Sequence, residues 1–168
     1  MDGQQLRALQ APLKHQYRED PQAAVVTLAA DGELGAESIT CKVSTGRAMV
    51  TAGLHPASGG DGLSLCSGDM LLEALVACSG VTLRAVATAL GLELRGGRVR
   101  AEGDLDFRGT LGVSKEAPVG FRAIRLLVDL DADLSSTDRE RLLELTERYC
   151  VVLQTINGGP VTTVDLTC

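Results

Sequence analysis

Cysteines are the side chains of this 168-residue sequence that could do the most distinctive chemistry. Cys78 lies in the apolar run "MLLEALVACSG" and Cys150 lies in "ERYCVVLQT", and both segments read as helices. A thiolate is a strong nucleophile, but a free thiol with a pKa of about 8.5 needs a cation, a helix N-terminus or a hydrogen-bond donor to ionise near neutral pH. The residues alone leave two interpretations open, a pair of reactive thiols or two small buried hydrophobic side chains.

The other cysteines and the histidines show no pattern typical of a metal site. Cys41 falls in a strand-like run, Cys66 in a glycine-rich stretch, and Cys168 is the last residue, so we assign none of them a role. There is no C-x-x-C pair, and His15 and His55 are far from any cysteine in the sequence, so we expect no bound metal. An odd number of cysteines and a polar start without signal-peptide features predict reduced thiols in the cytoplasm.

Composition and charge argue against several classes of partner. Hydrophobic residues make up 45% of the chain, which predicts a packed core. The formal net charge of −6 disfavours binding to nucleic acids or anionic membranes, and aromatic residues at 2% provide little surface on which bases could stack. Asp69, Glu73 and Arg84 interrupt the longest apolar segment, so we do not expect it to span a membrane.

The first half of the chain predicts strands followed by a long helix. Residues 4–10 read as a short helix that ends before Pro12, and Ser67 and Gly91 are the expected N-cap and stop of the long helix that carries Cys78. The apolar character of that helix nearly all round predicts that other protein surrounds it. Strands are predicted from β-branched runs, with "DGELG" as the turn of a first hairpin, over 23–30, 37–43 and 47–54.

The second half predicts a pair of antiparallel strands, a second helix and a last strand. Residues 98–109 alternate apolar and polar side chains, and 121–134 read as the partner strand after the connection 110–120. Thr137 and Glu140 have capping-box spacing at the start of the helix that carries Cys150, and 161–167 read as the last strand. This order predicts an α+β fold in one domain over 1–168, with 1–22 as an N-terminal extension.

Two segments resemble the OsmC/Ohr family, the osmotically inducible and organic hydroperoxide resistance proteins. The run "SGDMLLEALVACSGVTL" is similar to the pattern around the first cysteine of that family, and "LLELTERYCVV" is similar to the pattern around its second cysteine. The resemblance covers about residues 23 to 167 and implies an OsmC-like fold, with antiparallel sheets packed around two main helices in an intertwined homodimer.

The resemblance also implies a thiol-dependent peroxidase that reduces organic hydroperoxides without a metal or organic cofactor. Cys78 would become a sulfenic acid, Cys150 would condense with it to a disulfide, and an external dithiol would reduce that disulfide. The alternative is an OsmC-fold protein that binds a small molecule or senses redox state without efficient peroxidase turnover. A third possibility is a structural dimer with inert thiols.

In the family, an acid and an arginine support the reactive cysteine. Asp69 and Glu73 are the candidate acids on the same helix, and His55 is a candidate donor from the preceding loop. At about 100° per residue, Asp69 falls on the face opposite Cys78, so we expect it to act as a charge at the helix start. The candidate arginines, among which the sequence does not choose, are Arg47, Arg18, Arg122 and Arg125.

Overall fold

The computed structural model describes residues 49–112 and 114–167, the backbone of the strands at 31–34 and 40–44, and several positions before residue 20. Helical backbone is present at positions 4, 5, 8 and 10, within the predicted first helix, and also at position 3 before its predicted start and at 11, 15 and 19 beyond its predicted end. The predicted strand over 23–30 lies outside the described residues.

The described part of the molecule contains two sheets, one long helix and several shorter helices. The first sheet has the order β1 (Asp31–Leu34), β2 (Thr40–Ser44), β3 (Met49–Gly53) and β4 (Leu65–Cys66). Neighbouring strands are antiparallel except β3 and β4, which are parallel. β1 therefore occupies most of the segment in which the sequence predicted a hairpin turn, so that prediction was wrong.

The long helix α1 (Ser67–Leu90) ends as predicted and begins slightly differently. Gly91 closes it with a φ of 73°, a left-handed conformation that suits glycine. The N-cap is Cys66 rather than Ser67, and the Cys66 side chain makes no capping hydrogen bond. Asp69 lies in the first turn, where a carboxylate is favourable beside the exposed amides of the helix start.

The second sheet pairs β5 (Gly96–Leu105) with β6 (Phe121–Asp131) in antiparallel register, as the alternating pattern predicts. β5 ends before Phe107, because a short helix α2 (Phe107–Thr110) opens the connection to β6. Asp106 caps α2 through a hydrogen bond from the Arg108 amide.

Two helices follow where one was predicted: α3 (Ser136–Tyr149) and α4 (Val151–Gly158). The capping pair of α3 is Ser135 and Asp138, not Thr137 and Glu140, because the Ser135 side chain accepts a hydrogen bond from the Asp138 amide. Residues after Pro160 form no strand in this chain, and Val161, Val164 and Leu166 are at least 87% exposed, so the predicted last strand is absent from the described residues.

The core lies where the second half of α1 meets the second sheet and α3. Its buried members are Leu83, Val86, Ala87, Leu94 and Leu142. By length and composition alone α1 could cross a membrane, since one 18-residue window reaches a mean hydropathy of 1.6. In this fold, however, α1 packs against β5, α3 and α4, which makes it the central helix of an α+β domain.

Candidate active site

Cys78 lies halfway along α1 on a partly exposed face of the helix. Thr82 follows one turn later on the same face, so its hydroxyl reaches the Cys78 sulfur. The next residue, Ser79, lies on the buried face of the helix together with Leu75 and Leu83, and it is 1% exposed. Cys78 therefore sits at the edge of the core, where one side faces solvent.

Cys150 occupies the break between α3 and α4 and is completely buried. Its backbone is extended, with φ −74° and ψ 103°, and it serves both as the C-cap of α3 and as the N-cap of α4. The sequence predicted that the helix continues through this position, which was wrong. The break matters because it creates a new helix N-terminus, whose first amides have no partner within the helix.

The free amides at the start of α4 point to Cys78. Burial raises the pKa of the Cys78 thiol, but hydrogen bonds from the Val152 amide, the Cys150 thiol, the Thr82 hydroxyl and the Val151 amide lower it, and the pKa lies below its ordinary value. All four groups are uncharged donors. The structure thus provides a helix N-terminus and neighbouring donors for a thiolate at Cys78.

A second contact links the buried cysteine to α1. The Ser79 Oγ lies 3.3 Å from the Cys150 Sγ, and both side chains are buried. Cys150 thus lies between the partly exposed thiol of Cys78 and the buried hydroxyl of Ser79. The structure therefore brings the two predicted cysteines together despite their distance along the chain.

Two apolar grooves flank this pair of thiols, and each includes a residue that hydrogen-bonds to Cys78. A groove of about 520 Å³ runs along α1 past Thr82, and its lining residues are Gln10, Val81, Thr82, Ala85, Val86, Ala89, Leu90, Leu145 and Tyr149. Another of about 550 Å³ lies beside Val151, and its lining residues are Arg148, Tyr149, Val151, Gln154, Thr155, Gly158 and Pro160. Tyr149 borders both grooves.

The predicted supporting residues His55 and Asp69 lie elsewhere, in a cavity of about 370 Å³ at the start of α1 that also includes Cys66. The His55 Nδ1 accepts a hydrogen bond of 3.0 Å from the Ala57 amide, and its ring stacks on Phe107 with 4.9 Å between centroids. Asp69 is about 13 Å from Cys78 along the helix axis, from a rise of 1.5 Å per residue. Within one chain, neither side chain is among the contacts that lower the pKa of Cys78.

The candidates Glu73 and Arg125 are also not among the groups that hydrogen-bond to Cys78. Glu73 is exposed and forms no ion pair within the described part of the chain. Arg84 donates a 2.7 Å hydrogen bond to the Leu94 carbonyl. Arg125 pairs with Asp104 and Glu102.

The remaining candidate arginines do not supply a described contact either. Arg122 lies 3.9 Å from Asp106 at the end of β5. Arg47 and Arg18 lie outside the described residues. The donors that do contact Cys78 were missed in the sequence, although the spacing of Thr82 from Cys78 is the usual i,i+4 spacing of helical neighbours.

Both a family model and several solved structures are similar to this chain. The family model described as "OsmC-like protein" matches residues 59–165, which include both cysteines. No curated protein matches the chain. The fold is similar to that of an OsmC-like protein from Mycoplasma pneumoniae, with a TM-score of 0.66 and 16% identity over 79% of this chain and 89% of that one.

Two further crystal structures share the fold at similarly low identity. An organic hydroperoxide resistance protein OsmC from Legionella pneumophila has a TM-score of 0.62 and 18% identity, over 80% of this chain and 91% of that one. The organic hydroperoxide resistance protein OhrB of Bacillus subtilis has a TM-score of 0.56 and 17% identity, over 79% and 92%. The match of the family model over more than half of the sequence shows that the chain belongs to the OsmC-like protein family.

Proposed function

We propose that the protein is a thiol-dependent peroxidase that reduces organic hydroperoxides, with Cys78 as the attacking and Cys150 as the resolving cysteine. The observation that carries the proposal is the position of Cys78, which receives hydrogen bonds from the start of α4 and from the Cys150 thiol. The names of the Legionella and Bacillus relatives, both organic hydroperoxide resistance proteins, support the same reaction.

In the first step, the Cys78 thiolate attacks the terminal oxygen of the hydroperoxide. The S–O bond forms as the O–O bond breaks, so the thiolate becomes a sulfenic acid and the alkoxide leaves and takes up a proton to give the alcohol. Partial exposure of Cys78 admits the peroxide, while the apolar grooves beside Thr82 and Val151 offer room for its organic part. Organic hydroperoxides are therefore expected to react faster than hydrogen peroxide.

In the second step, the Cys150 sulfur attacks the sulfenic acid at Cys78. The S–S bond forms, the hydroxyl leaves with the Cys150 proton as water, and the disulfide protects Cys78 from further oxidation. An external dithiol then returns both cysteines to the reduced state, so no metal or organic cofactor is required.

The exposed apolar surface supports the homodimer that the family resemblance implies. Val81 on α1 is 73% exposed, and only 28% of the apolar window of α1 is buried within one chain. The extended segment after Pro160 also presents three nearly fully exposed hydrophobic side chains: Val161, Val164 and Leu166. A second copy that covers these surfaces would bury apolar area, and we place this dimer in the cytoplasm.

A second function is favoured by one observation. The donors that lower the pKa of Cys78 are all uncharged, whereas the family resemblance implies an arginine beside the thiol. An OsmC-fold protein that binds a small molecule or senses redox state could use a moderately activated thiol without fast turnover. Fast consumption of peroxide at saturating dithiol would exclude this alternative.

The decisive experiment measures consumption of cumene hydroperoxide with dithiothreitol as the reductant. The variant Cys78→Ser should lose activity, and Cys150→Ser should form a sulfenic acid but no intramolecular disulfide. Cys66→Ser is the matched control, because Cys66 lies in the cavity at the start of α1, and it should retain activity. If Cys78→Ser keeps the wild-type rate, the proposal is wrong.

A further inference from the structure

The Ser79 Oγ and the Cys150 Sγ lie 3.3 Å apart, which is hydrogen-bond distance for sulfur. In the resting thiol either group can donate to the other. When Cys150 is a thiolate its sulfur has no hydrogen, so it can only accept, and the Ser79 hydroxyl is then the donor. The contact therefore places a donor beside any negative charge that forms on the Cys150 sulfur.

Burial makes this hydroxyl important to Cys150. Cys150 is 0% exposed and Ser79 is 1% exposed, so water does not solvate the Cys150 sulfur in this structure. A negative charge on a buried sulfur is costly unless a donor faces it. In the described part of the chain, the side-chain hydroxyl within hydrogen-bond distance of the Cys150 sulfur is that of Ser79.

We propose that Ser79 is a catalytic residue for the reductive half of the cycle, in which its hydroxyl stabilises the Cys150 thiolate that leaves when the disulfide is opened. The proposal rests on the Cys78–Cys150 disulfide of the proposed function. It assigns Ser79 to reduction, whereas Thr82 and the amides of α4 act on Cys78.

The exposure of the two sulfurs decides which one the reductant attacks. Cys78 is partly exposed and Cys150 is buried, so a dithiol thiolate reaches the Cys78 sulfur. A new S–S bond forms between the reductant and Cys78, the Cys78–Cys150 bond breaks, and its electron pair goes to the Cys150 sulfur beside Ser79.

The remaining steps return the enzyme to its starting state. The second thiol of the reductant gives its proton to the Cys150 thiolate and then attacks its own sulfur in the mixed disulfide. The reductant leaves as a cyclic disulfide, Cys78 leaves as a thiolate and Cys150 is a thiol again. Two electrons pass from the dithiol to the protein, and the proton stays on Cys150.

The test compares Ser79→Ala with Ser79→Thr, which keeps the hydroxyl, and with Thr82→Ala, which removes a donor to Cys78 instead. The Cys78–Cys150 disulfide is formed with diamide in each purified full-length variant, so its reduction can be measured without peroxidase turnover. Samples are mixed with dithiothreitol, quenched with acid, alkylated and analysed by mass spectrometry. The reaction of the reduced proteins with cumene hydroperoxide is followed separately.

Loss of a hydrogen bond to a buried charged group predicts that Ser79→Ala slows disulfide reduction by about tenfold to a hundredfold. Its reaction with peroxide should change by less than about twofold, and Ser79→Thr should restore most of the reduction rate. Thr82→Ala should slow the reaction with peroxide more than the reduction.

The inference is overturned if Ser79→Ala opens the disulfide at the wild-type rate, or if it slows both half-reactions equally, as a general packing defect would. Failure of the proposed function has a different signature. In that case cumene hydroperoxide produces no Cys78–Cys150 disulfide in the wild-type protein, although the disulfide made with diamide still reports on Ser79.

Discussion

A proline at position 151 tests whether the start of α4 stabilises the Cys78 thiolate. Val151 is the first residue of α4, a position that accepts proline because its amide has no partner within the helix. The preceding residue, Cys150, already has the extended backbone that proline requires of its neighbour, and Val151 is 70% exposed. Val151→Pro therefore removes one amide donor to Cys78 and keeps the helix.

The loss of thiolate stabilisation in Val151→Pro depends on the donors that remain around the Cys78 sulfur. A hydrogen bond to a charged group contributes about 1.5–3 kcal/mol. The Val151 amide is one of four donors to Cys78, the Val152 amide stays in place, and water reaches the partly exposed sulfur. We therefore expect a loss of about 0.7 kcal/mol, which corresponds to a roughly threefold smaller thiolate fraction at a pH below the Cys78 pKa.

The assay is the rate at which iodoacetamide alkylates Cys78 at pH 6, measured by mass spectrometry with Cys66 of the same molecule as reference. The Cys78 rate should fall about twofold to threefold in Val151→Pro, and it should not fall below wild type at a pH well above the Cys78 pKa, where Cys78 is fully ionised in both proteins. The matched control Val119→Pro changes an exposed loop residue and should leave the rate unchanged. If Val151→Pro leaves the rate at pH 6 unchanged or raises it, the Val151 amide does not stabilise the thiolate.

Three further predictions concern stability and pH. Leu75→Ala should lower the free energy of unfolding by about 3 kcal/mol in urea titrations, because Leu75 is 0% exposed and its removal leaves a cavity. Gly91→Ala should cost about 1 kcal/mol, because Gly91 has a φ of 73°, whereas Gly120→Ala, which meets no atom within 4 Å, should be nearly neutral. Arg108 lowers the pKa of Asp106 from 3.8 to about 2, so the contribution of this pair to stability is complete above pH 3.8 and is lost as pH falls through about 2. The protection factor of the amides at the start of α2, which is the intrinsic exchange rate divided by the observed rate at the same pH, should therefore fall over that range and stay constant between pH 5 and 8.

The parts of the fold that depend on local pattern could be predicted from the sequence. The end of α1 at Gly91 and the pairing of β5 with β6 follow from a glycine stop and from alternating side chains. The break at Cys150 could not be predicted in this way, because Tyr149, Cys150 and Val151 can all occupy a helix. The break is a tertiary feature, seen where Cys150 is buried against Ser79 of α1.

The groups that support Cys78 were also predicted wrongly, because they too depend on the tertiary structure. The side chains predicted to support Cys78 were all ionisable ones: Asp69, Glu73, His55 and Arg47. A main-chain amide belongs to every residue except proline, so residue type gives no sign that the Val151 and Val152 amides are donors. Of the four donors to Cys78, only Thr82 and Cys150 act through side chains. Cys150 was expected beside Cys78 as its resolving partner and not as a donor.

The two sulfurs have opposite environments, and this difference divides the proposed reaction between them. Cys78 is partly exposed and has donors that favour its thiolate, so it is the sulfur that peroxide and reductant can reach. Cys150 is completely buried, so it is shielded from direct oxidation and from alkylation. A buried leaving sulfur, however, needs its own donor when the disulfide opens, and Ser79 is placed to provide it. A resolving cysteine that is buried for protection therefore also needs a buried hydroxyl beside it, because its burial keeps water from stabilising its thiolate.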